Sequence, residues 1–126
     1  MTIRILYVDD EPDLREIAVM SLELDPEFEV RDCSTGTAAL AEAATWQPAL
    51  VMLDVMMAGL DGPETSRKLR EQKETAHIPF VFLTAQAQAN DIEMLMAEGA
   101  RAVIPKPFDP ATLAQTVRGL LTDRKG

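Results

Sequence analysis

Apolar and polar positions along this chain alternate between two periods. Runs of strand character occur at "IRILYV" (residues 3–8), "FEVRDC" (28–33), "ALVMLD" (49–54), "IPFVFLT" (78–84) and "RAVI" (101–104). These are five predicted strands. The near-continuous apolar stretches at residues 50–53 and 80–83 suit central strands covered on both faces. Between the runs lie segments with helical spacing. Leu14, Ile17, Ala18 and Ser21 form one stripe, Ile92, Leu95 and Met96 another, and Leu113, Val117, Leu120 and Leu121 the last and cleanest. Residues 35–45 are Ala-rich and favour helix, and residues 61–70 open on Asp-Gly-Pro, a helix-start signal. Pro12 and Pro110 also sit where first-turn prolines belong.

Five β–α units in strict alternation predict a parallel sheet with helices on both faces, an α/β fold. Right-handed crossovers leave only a few doubly wound arrangements. A chain of 126 residues holds one real core and is too short for two ordinary domains. One domain over residues 1–126 is therefore expected, with "TDRKG" ending the chain a few residues after the fifth helix.

Composition and charge then remove alternatives. Apolar content of 47% fits a folded protein. The longest apolar stretches are strand-sized, so no membrane span is expected. "MTIRILYVDD" lacks a signal-peptide layout. Cys33 is the single cysteine, which excludes an internal disulfide and a thiolate zinc cage. A cytoplasmic protein is the simplest expectation. The net charge of −9 disfavours direct binding to nucleic acid, whose phosphates are held by surplus Lys and Arg.

The chemistry is concentrated at strand ends. In an open parallel sheet, ligands bind beyond the carboxyl ends of the strands. The first strand ends in Asp9-Asp10, the third in Asp54, the fourth in Thr84, and the fifth leads into Lys106. The second ends in Cys33-Ser34, with nothing comparable. If strands one, three, four and five are neighbours, three carboxylates, a hydroxyl and an ammonium converge on one rim. Three carboxylates together are costly unless a cation neutralises them. Oxygen ligands without His or Cys suit Mg²⁺. A Thr hydroxyl and a Lys ammonium opposite that metal match the needs of an anionic phosphoryl group. Asp54 is the candidate nucleophile.

"LYVDDEP", "VMLDVMMAGLDG", "VFLTA" and "IPKPF" resemble, in order and spacing, the four signature segments of the two-component response-regulator receiver domain. The resemblance runs over essentially the whole chain. It implies a flavodoxin-like fold, a five-stranded sheet of order 2-1-3-4-5 with five helices. It implies that Asp54 accepts a phosphoryl group from a sensor histidine kinase or a histidine phosphotransfer protein. Asp10 matches a direct Mg²⁺ ligand, Asp9 a carboxylate that assists the metal or binds it through water, and Met56 a backbone-carbonyl ligand. Thr84 matches the hydroxyl that moves onto the phosphoryl oxygens, and Lys106 the cation that holds them. Lys106–Pro107 matches a cis peptide bond, and Gly62 a loop glycine. The face made by the fourth helix, fifth strand and fifth helix is implied to meet a downstream protein.

Two positions depart from that pattern. Val103 replaces the usual Tyr or Phe three residues before the lysine. Ala58 stands where such loops commonly carry proline, a change read as affecting loop stiffness alone.

The expected activity is self-phosphorylation and self-dephosphorylation, without turnover of a separate substrate. An alternative is a receiver cut from a longer regulator with a DNA-binding or enzymatic output domain. A rival from the enzymes is a haloacid-dehalogenase-like phosphatase, but that family wants Asp-x-Asp at the nucleophile, where this chain has Asp54-Val55-Met56. His77, Trp46 and the 70–75 segment "REQKET" read as surface, local packing and a solvated helix end. Met52, Met56, Met57, Met94 and Met96 read mainly as core or loop filling.

Overall fold

Period-two alternation in the strands decides how the molecule is layered. In a computed structural model, which describes residues 2–122, the strands are β1 (Ile3–Val8), β2 (Phe28–Cys33), β3 (Leu50–Asp54), β4 (Phe80–Thr84) and β5 (Val103–Pro105). All neighbours pair in parallel, in the order β2-β1-β3-β4-β5. The helices are α1 (Pro12–Leu22), α2 (Gly36–Trp46), α3 (Gly62–Glu71), α4 (Ala89–Ala97) and α5 (Leu113–Thr122). This is the expected flavodoxin-like α/β arrangement. The "TDRKG" end falls largely on residues 123–126, outside the described residues.

Two cores lie on opposite faces of the sheet. Ile5, Tyr7, Leu50, Met52, Val81, Leu83 and Ile104 pack against α1 and α5 through Ala18, Leu22, Leu113 and Val117. Leu6, Val8, Val51, Leu53, Phe80 and Phe82 pack against α2, α3 and α4 through Ala39, Ala43, Trp46, Leu69 and Leu95. Every residue of β3 and β4 is buried, as the continuous apolar runs predict.

Several boundaries move for local reasons. β3 begins at Leu50 rather than Ala49, and β4 at Phe80 rather than Ile78, because Pro79 has no N–H to add to the ladder; its carbonyl still accepts from Val51 N–H at 3.1 Å. β5 covers Val103–Pro105 rather than residues 101–104, and Pro105 is tolerated because the strand is at the sheet edge. Thr35 and Asp61 are N-caps rather than helical residues, and Asp61 forms a capping box with Glu64. Pro12 does open its helix. Pro110 lies in the turn ahead of α5, which begins at Leu113.

The helical stripes are also narrower than predicted. Ile17 is 44% exposed, while Ala18, Ser21 and Leu22 carry the buried face of α1. In α4 only Leu95 is buried, and Met96 is 41% exposed. Met52 and Met57 are core, whereas Met56, Met94 and Met96 are exposed, contrary to the filling role expected of them. Within "REQKET", Thr75 is buried and donates to Leu69 O at 2.7 Å, so that segment is a stitched turn rather than only a solvated end. His77 is exposed, as expected. Trp46 is buried and flanked by the Arg4 and Arg31 guanidinia, 5.5 and 4.6 Å from its ring.

Gly62 is a packing glycine. A Cβ there would lie 2.6 Å from Asp54 O and 2.9 Å from Val55 Cα, both backbone atoms that cannot swing aside. Gly62→Ala is therefore expected to cost about 1–3 kcal/mol through overpacking. Gly119→Ala, whose added Cβ would meet nothing within 4 Å apart from its neighbours and its own helix backbone, is the control. Urea unfolding of the two variants checks this, and equal stability would contradict the close approach.

Candidate functional site

Strand parity carries the site. Tyr7 and Asp9 share a face, as do Met52 and Asp54, because side chains alternate along a strand. Since β1 and β3 are adjacent, the first and third strands deliver their carboxylates side by side. Asp9, Asp10 and Asp54 each offer an oxygen within 4.8 Å of the others. Asp9 is fully buried and Asp54 is 5% exposed, while Asp10 is exposed.

Lys106 arrives from the end of β5 and bridges the two buried acids, Asp54 and Asp9. Its Nζ donates to Asp54 Oδ1 at 2.9 Å and to Asp9 Oδ2 at 3.4 Å. The Lys106–Pro107 bond is cis, and the Lys106 N–H donates to Thr84 O at 2.9 Å, fixing where the side chain starts. Burial works against the ammonium, but the bond to Asp54 and the charges of Asp54 and Asp9 leave its pKa raised. Burial also lifts the Asp54 carboxyl above its ordinary value. Lys106 opposes that shift, and the negative charges of Asp9 and Asp10 add to it.

The other contacts orient the acids. Asp9 Oδ1 accepts from Glu11 N–H at 3.0 Å, and Oδ2 accepts from the Tyr7 hydroxyl at 3.1 Å. Burial, with the Asp9 charge adding, pushes the Tyr7 phenol far above its ordinary pKa, so it stays protonated. Asp10 Oδ2 accepts from Ala58 N–H at 3.1 Å. This corrects the reading of Ala58: a proline there would have no N–H to offer, so the residue orients a carboxylate as well as setting loop stiffness. Thr84 is buried at the end of the neighbouring strand, and its Oγ1 accepts from Gln86 N–H at 3.0 Å rather than reaching Asp54. Met56 lies in the loop after Asp54 with its side chain 71% exposed, and no described hydrogen bond joins its carbonyl to the cluster. Val103 is half-buried opposite Phe82.

The structure thus gathers oxygens of Asp9, Asp10 and Asp54 within 4.8 Å, bonds Lys106 to Asp54 and Asp9, and places Thr84 one strand away. Tyr7 and the Ala58 N–H are site contacts that motif reading passes over. Parity pointed to the first, since Tyr7 stands two residues before Asp9; nothing in the sequence marked the second. Cys33, on β2, stays outside the site, and burial pushes its thiol up to about 11, which makes it a poor nucleophile. Chemically, an all-oxygen donor set facing one ammonium suits a hard divalent cation and a transferred anion. Among the described residues, no helix is long and apolar enough to cross a membrane.

The family model described as the response regulator receiver domain matches residues 5–118. Response regulator Rre1 of Synechocystis sp. is 40% identical over 119 residues, covering 94% of this chain and 52% of Rre1. Response regulator PleD of Caulobacter vibrioides is 39% identical over 122 residues, 95% of this chain and 26% of PleD. This chain therefore spans about half the length of Rre1 and about a quarter of PleD. Chemotaxis response regulator CheY4 of Vibrio cholerae superposes with a TM-score of 0.86 at 28% identity, covering 95% of this chain and 99% of that one.

The raised Asp54 pKa has a testable sign. The folded protein keeps this proton at pH values where the unfolded chain has released it. The group's effect on stability is therefore most favourable below the ordinary carboxylate pKa and is lost as pH rises through the folded value. In metal-free buffer, Asp54→Asn is expected to be the more stable protein at neutral pH, with the gap closing as pH falls. Denaturant unfolding of both proteins from about pH 4 to about pH 8 reads this directly, and a gap that widens on acidification would contradict it.

Proposed function

The chain belongs to the response regulator receiver domain family, and on that premise we propose that it is a Mg²⁺-dependent phosphoacceptor module of a two-component system. Asp54 is the acceptor. The observation that carries this reading is the 2.9 Å contact of Lys106 Nζ with Asp54 Oδ1 inside a cluster of three carboxylates. An Asp54 oxygen attacks the phosphorus of a phosphohistidine. The P–N bond breaks, its electron pair leaves with the imidazole, and the phosphoryl group remains as an acyl phosphate.

Asp9, Asp10, Asp54 and the Met56 carbonyl would hold the Mg²⁺, which when bound offsets the charge of the carboxylates and of the phosphoryl oxygens. Lys106 neutralises the oxygen that gains charge, and Thr84 leaves its contact with Gln86 N–H to donate to the phosphoryl group. The phosphoryl donor is a sensor histidine kinase or a histidine phosphotransfer protein. The module is a receiver domain over residues 1–126 that performs its own phosphorylation and dephosphorylation in the cytoplasm without turning over another substrate. Its output is a protein contact on the face of α4, β5 and α5, with no direct nucleic-acid contact. The lengths of Rre1 and PleD support a second reading, in which this module works beside an output domain.

The test is intact mass after incubation with Mg²⁺ and a small acyl-phosphate donor. Wild type is expected to gain one phosphate and Asp54→Ala none, and Mg²⁺ is expected to raise the thermal midpoint of wild type more than that of Asp10→Ala, by mass action on the folded state. Phosphate mapped to Ser66 or Thr84 would refute the assignment, and steady release of inorganic phosphate without a phosphorylated protein would favour a phosphatase.

Val103 shapes the switch. Val is short and stiff at χ1 and cannot sweep between buried and exposed poses as a ring does, so the movement falls to Thr84 and the loop after it. Hydrogen exchange with and without beryllofluoride is expected to change mainly over residues 84–90 and the start of α4. A change centred on residues 101–104, with 84–90 quiet, would show another route.

A further inference from the structure

Tyr7 is fully buried, opposite Met52, and Met52 is opposite Val81. Met52 and Val81 are apolar and equally buried. A phenylalanine would fill the same space, so packing alone gives no reason for the hydroxyl. A buried hydroxyl needs a partner, and its partner is Asp9 Oδ2 at 3.1 Å. Among the described residues, the donors to the Asp9 carboxylate are Glu11 N–H on Oδ1, and Tyr7 Oη and Lys106 Nζ on Oδ2.

Those two donors to Oδ2 differ in kind. Lys106 is charged, lies farther from Asp9 (3.4 Å) than from Asp54 (2.9 Å), and is the group assigned above to the phosphoryl oxygens. Its ammonium also competes with any cation for the negative charge of Asp9. The phenol is neutral. It fixes the direction of the carboxylate without cancelling the charge that attracts a cation.

We propose that Tyr7 is a positioning residue of this site: its hydroxyl holds Asp9 Oδ2 from the core side, so that the carboxylate keeps its aim when Lys106 turns to the phosphoryl group. This rests on the reading of Asp54 as phosphoacceptor. It assigns Tyr7 no contact with the phosphoryl group or the cation. Its action passes through Asp9.

Tyr7→Phe removes one oxygen and leaves the ring. The variant is expected to melt close to wild type in metal-free buffer, yet to need about tenfold more Mg²⁺ for half-maximal phosphorylation by acetyl phosphate. An unchanged Mg²⁺ requirement would overturn the proposal, whether or not the metal-free melt is lowered. A second readout needs no substitution at Tyr7. It is the only tyrosine in the chain, so the hydrogen-bond-sensitive tyrosine doublet in ultraviolet resonance Raman spectra reports this hydroxyl alone. The doublet is expected to mark a strong donor in the metal-free, Mg²⁺-bound and Mg²⁺–beryllofluoride states, and to weaken in Asp9→Asn. Loss of donor character in any wild-type state would overturn the proposal. Wild type that takes no phosphate on Asp54 removes the reading of the site and this proposal together. Wild type phosphorylated on Asp54, with Tyr7→Phe matching its Mg²⁺ curve, removes only the role of the tyrosine.

Discussion

Repulsion among Asp9, Asp10 and Asp54 at the carboxyl edge of a buried sheet is the constraint around which this molecule is organised. Two of the three acids are almost completely withdrawn from water, where unpaired charge is costly. One ammonium, on Lys106, spans the two buried ones. It reaches them from the end of β5, two strands away from Asp54, so these contacts need β1, β3, β4 and β5 in place. The same arrangement makes the site receptive. A single lysine cannot balance three carboxylates, and the remaining negative charge is what a divalent cation would answer.

The sheet order turns this constraint into geometry. Parallel strands bring every carboxyl end to one rim, and the position of β1 between β2 and β3 sets Asp9 and Asp10 beside Asp54. The two cores differ in consequence. On the α1 and α5 side, the layer under the acids includes Tyr7 and Met52. On the other side, α3 opens immediately against the Asp54 backbone through Gly62, so the helix start and the acceptor strand are packed as one unit.

Much of this was legible in the sequence because it follows from period and position. Continuous apolar runs marked β3 and β4, and acids directly after such runs marked the rim. What the residue pattern does not encode depends on backbone atoms and on angular placement around helices. Ile17 and Met96 fit a helical stripe by spacing, yet α1 and α4 are turned so that Ala18, Leu22 and Leu95 meet the sheet. The Ala58 N–H belongs to a donor every non-proline residue owns, so no side chain announced that it would meet Asp10. Thr75 was hidden inside a charged segment because the acceptor of its hydroxyl, the Leu69 carbonyl, is again backbone.

Glu98, the C-cap of α4, is gripped by Arg67 and Arg70 of α3, at 2.7 and 3.1 Å. The opposite end of α4 starts at Ala89, and its N-cap Gln88 makes no side-chain capping bond. With Leu95 its only buried residue, the helix is a rod fastened near its far end and loosely seated along its length. In the switch proposed above, a rod so mounted would pivot near Glu98 rather than slide. At about 1.5 Å of rise per residue, a rotation of about 10° at the Glu98 fulcrum carries the first turn by about 2 Å. The end without these ion pairs is the one that follows the Thr84 loop, so in that switch the first turn of α4 would move most and Met94, nearer Glu98, would move less.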